Sequence, residues 1–275
     1  MVMLLDLLTA LLPLLYGLAA ANYSVHFVRH EPFAARTCTP VLLATLGAHG
    51  AFLIARGVHL GHYPLSNPGE MLSVMAFAIA AVYLYVERVQ GAKETGAFLV
   101  GMATLVQLAA SALLSHSPAN QAALLAKTSL WGVHTICAVL SYSAFFVSAV
   151  YGVMYALLYR TLKSKRFGLL FDRLPSLNVL ANMGMGAALL GWVFLSLALG
   201  LGTLMAVRLV PGFYSDPKFI SSVLAWIVYA ATVAAYFPLG WRGARTVYAS
   251  LVAFAVAVIA MAGSVLPWSF HTFQS

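Results

Sequence analysis

Eight apolar stretches, at about 4–28, 41–55, 70–86, 96–115, 127–159, 178–207, 220–240 and 246–266, alternate with short segments that gather most of the charges. A helix needs about 20 apolar residues to cross a hydrocarbon core of about 30 Å, and most of these stretches meet that length. Backbone in lipid must satisfy its own hydrogen bonds, so each stretch reads as a helix. The predicted architecture is an all-α integral membrane bundle of about eight transmembrane helices, forming a single domain over residues 1–275. Stretches 127–159 and 178–207 exceed what a span requires. At 1.5 Å per residue they reach about 45 to 50 Å and must tilt or protrude.

Composition agrees with that pattern. The chain is 62% hydrophobic and only 8% charged, against roughly 25% charged residues in a soluble domain. The net charge of +8 is no nucleic-acid signal, because the basic residues cluster between apolar stretches and act as orientation determinants. Arg29, Arg36, Arg88, Lys93, Arg160, Lys163, Lys165, Arg166, Arg173, Arg242 and Arg245 fall on one side, against Arg56, Lys127, Arg208 and Lys218 near the other. The richer side is expected to be cytoplasmic, which places both termini outside. The first stretch resembles a secretory signal at 18–21, yet Asp6 precedes it and Arg29 and Arg36 follow, so it is expected to remain as a span. The basic segment "YRTLKSKRFGLLFDRLP" reads as an anchor at anionic head groups.

Some local geometry is legible too. Gly184 with Ala188, and Ala187 with Gly191, stand at four-residue spacing and predict close helix packing. In "SNPGEML", Asn67, Pro68 and Glu70 predict a capping box, and in "SDPKF" Asp216 predicts an N-cap with Pro217 at the first helical position.

Candidate chemistry rests on the histidines. Cys38 is expected in the first cytoplasmic loop and Cys137 in a span, too far apart to bridge, and no C-x-x-C or C-x-x-C-H exists. Any haem would therefore need imidazole ligation. His26 and His30 read as interfacial; His59, His62 and His116 belong to outer loops, where a metal site lacks cysteine or carboxylate support. His49 stands mid-span, as a functional candidate or as a hydrogen-bonding group between helices. His134 lies about two turns inside the fifth stretch, and His271 lies in "PWSFHTF" beyond the last one, both at the predicted outer face. Two imidazoles on opposite sides of a flat apolar site suit low-spin haem iron, and two interfacial histidines with aromatic-belt neighbours would look the same in sequence. Trp131 stands one turn before His134.

In order along the chain, "NPGEMLSVMAFAIAAVYLYVE", "WGVHTICAVLSYSAFFVSAVYGVMYALL", "FDRLPSLNVLANMGMGAALLGWVFLSLALGLGTLMA", "SDPKFISSVLAWIVYA", "GWRGAR" and "FHTFQ" resemble the cytochrome c assembly family. The resemblance covers most of the chain from about Pro64 and is nearest the short HemX-like and YpjD-like branch. It implies a haem-handling protein of the bacterial inner membrane, acting in cytochrome c biogenesis without catalysis by this chain alone. It implies non-covalent haem b, with His134 and His271 as axial ligands to the iron. The segment from Arg208 to Lys218 falls on the family's tryptophan-rich haem loop. That loop is thinned here, keeping Asp216, Pro217 and Lys218 with Phe213 and Tyr214 nearby, so Trp131, Tyr214, Asp216, Trp268 and Phe270 complete the candidate haem site. CcsA-type members also carry a seventh-span histidine; "WIVYAATVAAY" has alanine there. The expected partners are membrane lipid, haem and other cytochrome c assembly proteins, with no nucleic acid. The alternative is a HemX-like regulatory or scaffolding protein that has lost haem transfer. A small-molecule transporter is disfavoured, because acidic residues are nearly absent from the spans and no inverted repeat is evident.

Overall fold

The computed structural model describes residues 2–65, 67–114, 129–165, 168–209 and 212–263. In chain order the helices are α1 (Val2–Arg29), α2 (Pro32–Leu60), α3 (Pro68–Gln90), α4 (Gly96–Leu113), α5 (Ser129–Ser164), the short α6 (Leu169–Arg173), α7 (Leu177–Leu209), α8 (Pro217–Tyr236) and α9 (Ala244–Gly263). A 3-10 turn, Phe213–Ser215, precedes α8. Seven of these helices are long and apolar enough to cross a membrane, and α9 adds a shorter apolar stretch at Ala244–Ile259. The all-α membrane architecture is thus as expected. The two over-long helices are α5 with 36 residues and α7 with 33.

Helix starts follow the expected chemistry. Asn67 accepts from the Glu70 amide at 2.9 Å, with Pro68 opening α3. Asp216 Oδ1 accepts from the Lys218 amide at 2.7 Å, with Pro217 opening α8. The Glu70 carboxylate, expected to complete a capping box, is engaged by Arg56, whose Nε and Nη2 lie 3.0 and 2.9 Å from Oε1.

One expected boundary is wrong. The second helix begins at Pro32 rather than near 41, so Cys38 is a buried residue inside α2, not part of a cytoplasmic loop. The polar run Arg36, Thr37 and Thr39 hid the start. Thr37 bonds Asn22 and Thr39 bonds Glu87, so these side chains face neighbouring helices instead of water.

Two compact units make up the chain, one of residues 1–119 and 157–179, the other of residues 120–156 and 180–275. In the first, α1 packs on α2 and α4, and α3 packs on α2 and α4. Its interior combines large buried residues, Tyr16, Tyr23, Phe52 and Tyr83, with buried polar side chains. In the second, α5 and α7 approach closely. A Cβ at Gly191 would sit 2.5 Å from the Phe145 ring, and one at Gly184 3.3 Å from Tyr151 Cβ, as the small-residue spacing predicts. Phe145 stacks on Tyr229 with ring centroids 3.5 Å apart, and Trp192 stacks on Trp226 at 5.7 Å. Ser148 on α5 and Ser250 on α9 are 2.9 Å apart.

Candidate functional site

His134 lies half-buried in the second turn of α5, against α7. Its Nδ1 is 2.8 Å from the carbonyl oxygen of Ala198. A backbone carbonyl only accepts, so Nδ1 carries the proton and Nε2 keeps its lone pair. This is how metal-ligating imidazoles are commonly fixed: one nitrogen is tied to a carbonyl and the other left basic. Gly202, one turn beyond Ala198, makes the approach possible. A Cβ there would come within 2.8 Å of His134 Cε1 and 3.1 Å of Nδ1.

The predicted haem loop lies in the same unit. Gly212 has φ +79°, a left-handed conformation that glycine adopts without strain, and its carbonyl accepts from the Ser215 amide at 3.0 Å. The turn brings three rings together: Phe213 lies 3.9 Å from Tyr214 and 5.2 Å from Phe219, and Tyr214 lies 5.8 Å from Phe219. Phe213 is buried, whereas Tyr214 is 59% exposed and offers a free aromatic surface. Lys218, the next residue after Pro217, is near enough to act electrostatically on His134.

The other sequence candidates divide as follows. Asp216 is buried, with Oδ1 committed to capping α8. Trp131 is half-buried, and its carbonyl accepts from Thr135. His271, Trp268 and Phe270 lie outside the described residues, as does His116. His26 and His30 pack edge to face at the end of α1, with centroids 5.6 Å apart. His59 is exposed on the last turn of α2, and His62 Nδ1 lies 2.8 Å from the Tyr63 carbonyl. Among the described residues no group of three or more His, Cys, Asp or Glu could hold a bare metal ion.

Sequence reasoning missed Ala198, Gly202 and Phe219. It also missed Glu87, a buried carboxylate that accepts from Tyr23 at 2.5 Å and Thr39 at 2.6 Å. A signal for Gly202 was present in "LGLGTLM", but nothing there said which glycine would face an imidazole.

Fold and site together define a multi-pass membrane protein that holds one imidazole by a carbonyl near a helix end, with an aromatic turn in the same compact unit. The chain belongs to the cytochrome c assembly protein family, whose profile matches residues 58–269. It is similar to Protein HemX of Brevibacillus brevis, with 25% identity across 90% of this chain and 92% of that protein. It is also similar to Protein HemX of Bacillus subtilis strain 168, 26% identical over 78% and 79% of the two chains. Cytochrome c biogenesis protein CcsA of Synechococcus elongatus is 25% identical, again over 78% and 79%. With seven membrane-length helices and these bacterial relatives, it is a multi-pass protein of the bacterial inner membrane.

Proposed function

We propose that this protein acts in cytochrome c biogenesis, binding or presenting haem b at the outer face of the membrane with His134 as one axial ligand and His271 as the other. The observation that carries the reading is the state of His134. Its Nδ1–H is spent on Ala198, which leaves the lone pair of Nε2 without a partner among the described residues, on a ring tied in orientation by that bond. The residues described fit such a group: an imidazole donor, an exposed aromatic ring at Tyr214, and a cation at Lys218 suited to a carboxylate. Bound haem would supply the one-electron iron chemistry; the chain supplies ligation, apolar contact and orientation. Asp216 contributes indirectly, by fixing the start of α8 and with it the loop. Trp131, Trp268 and Phe270 are assigned to apolar contact with the macrocycle. In this reading residues 1–275 work as one membrane domain, alongside other cytochrome c assembly proteins and lipid.

A Soret band in the purified protein, lost in His134→Ala with His271→Ala, is the expected result. No Soret band, or one unchanged by both substitutions, would refute it.

The similarity to two HemX proteins across most of their lengths, together with the thinned loop, favours a second reading, a regulatory or scaffolding role without haem transfer. Deletion then alters tetrapyrrole-enzyme levels or complex assembly while holocytochrome c stays normal.

A further inference from the structure

The first unit contains a chain of hydrogen bonds whose starting point is a proline. Pro13 lies inside α1 and has no N–H, so the carbonyl four residues before it, that of Thr9, loses its helical donor. In a membrane helix a neighbouring side chain must replace that donor. Ser111 of α4 does so, at 2.9 Å.

From there the direction of every proton follows. A carbonyl only accepts, so Ser111 spends its single proton on Thr9 and must itself be an acceptor from Gln107, 3.2 Å away. The amide nitrogen of Gln107 therefore faces Ser111, and its carbonyl oxygen faces Ser73, which donates to it at 3.2 Å. Ser73 has no second proton, so at the 3.0 Å contact with His49 the donor is Nε2–H. Nδ1 of His49 is then bare and accepts from the Tyr16 hydroxyl at 2.9 Å. Tyr16 is again on α1, two turns past Thr9.

We infer that these five bonds form a one-way circuit through α1, α2, α3 and α4 that holds His49 as its neutral Nε2–H tautomer and clamps the first two helices to the next two. Helix α1 and nearly all of α2 precede the stretch matched by the family profile, whereas Ser73, Gln107 and Ser111 lie inside it. The circuit ties α1 and α2 to α3 and α4, which the profile covers.

It also removes His49 from the list of haem or metal ligands. Both ring nitrogens are engaged, and the imidazole is fully buried among Tyr16, Phe52 and Phe77, with ring centroids 5.6, 6.2 and 5.4 Å away. The chain of bonds is no proton path either. It ends on a carbonyl that cannot donate and passes through an amide, so its polarity cannot reverse as proton hopping requires.

The test is nitrogen NMR on the full chain with 15N-labelled histidine, in lipid nanodiscs. One histidine is expected with a protonated Nε2 and a bare Nδ1, and its bare-nitrogen signal moves in Tyr16→Phe, which identifies it without removing the ring. Ser73→Ala, which leaves Nε2–H without its acceptor, is expected to mix the tautomers. His49→Gln provides an independent readout: the haem spectrum of the purified protein should match wild type. An Nδ1–H tautomer or an imidazolium at neutral pH in the signal responsive to Tyr16→Phe would overturn the circuit. A haem spectrum lost in His49→Gln but kept in His134→Ala would overturn His49's exclusion as a ligand. Failure of the proposed haem function alone leaves the NMR result untouched.

Discussion

The two compact units differ in how far their buried polar groups are paired. In the first, Tyr16, His49, Ser73 and Gln107 are completely buried and bonded to one another, and Arg56 meets Glu70, 5% and 1% exposed, in a buried ion pair. Only His26 Nδ1 there is buried without a partner among the described residues. In the second, Ser141 Oγ, Trp192 Nε1 and the Tyr229 hydroxyl are buried without partners among the described residues, and Trp192 and Tyr229 each stack on another ring. Among the described residues, its His134 has a partner for Nδ1 and none for Nε2. A polar side chain in the membrane interior is thus not in itself a functional sign. His49 and His134 are both histidines in spans, one fully buried and one half-buried, and what separates them is whether the second nitrogen has a partner among the described residues.

The largest expected effect comes from breaking the first unit where its charges meet. Arg56→Met leaves Glu70 buried without its cation, and removing one member of such a pair costs about 3–5 kcal/mol. The thermal midpoint in detergent should fall sharply for Arg56→Met, and the double change with Glu70→Leu should recover much of the loss. No recovery in the double variant would show that the pair is not the source. A smaller loss, about 1–3 kcal/mol, is expected from Tyr23→Phe, because it strips one of two hydroxyl donors from the buried Glu87 carboxylate. Neither change should alter haem retention, since both act in the unit without the candidate site.

What could be read from the chain itself follows the same division. The helices, the over-long α5 and α7, the caps at Asn67 and Asp216 and the close approach at Gly191 follow from local rules with periods of a few residues, so the sequence displays them. Cys38 was misplaced because Thr39 satisfies its hydroxyl on Glu87, 48 residues away, and a polar residue with a distant partner looks like a loop residue. His134 was identifiable as a candidate from its position, but its tautomer depends on Ala198, 64 residues further on. The His49 circuit depends on Pro13, which in sequence reads only as a helix blemish.

Gly202 sharpens the comparison in the second unit. With Gly202→Ala the new Cβ would meet the His134 ring at 2.8 Å, so the imidazole must leave its position against Ala198. Overpacking of this kind costs about 1–3 kcal/mol, which corresponds to a loss of haem retention of about fivefold to a hundredfold when the cost falls on the ligand. The haem-to-protein ratio after washing should drop for Gly202→Ala and stay at the wild-type value for Gly200→Ala, where a Cβ meets open space. Equal ratios in the two variants would show that the orientation of His134 does not matter to the site.

The smallest effect concerns the thinned loop, and it separates a ring from its hydroxyl. Tyr214 is exposed and touches Phe213 and Phe219 through its ring. Tyr214→Phe keeps that surface, and surface changes of this sort stay within about 0.5 kcal/mol, so haem retention should be unchanged. Trp268→Ala deletes a whole aromatic side chain assigned to the macrocycle and is expected to weaken retention at least tenfold, while Trp241→Ala, at a residue 57% exposed, serves as the control for general stability. If Tyr214→Phe lowers retention as much as Trp268→Ala does, the loop contributes a hydrogen bond rather than an apolar face, and the aromatic account of the outer site fails. If Trp241→Ala matches Trp268→Ala, the losses come from stability, and His134 stands as the ligand without the C-terminal aromatic residues.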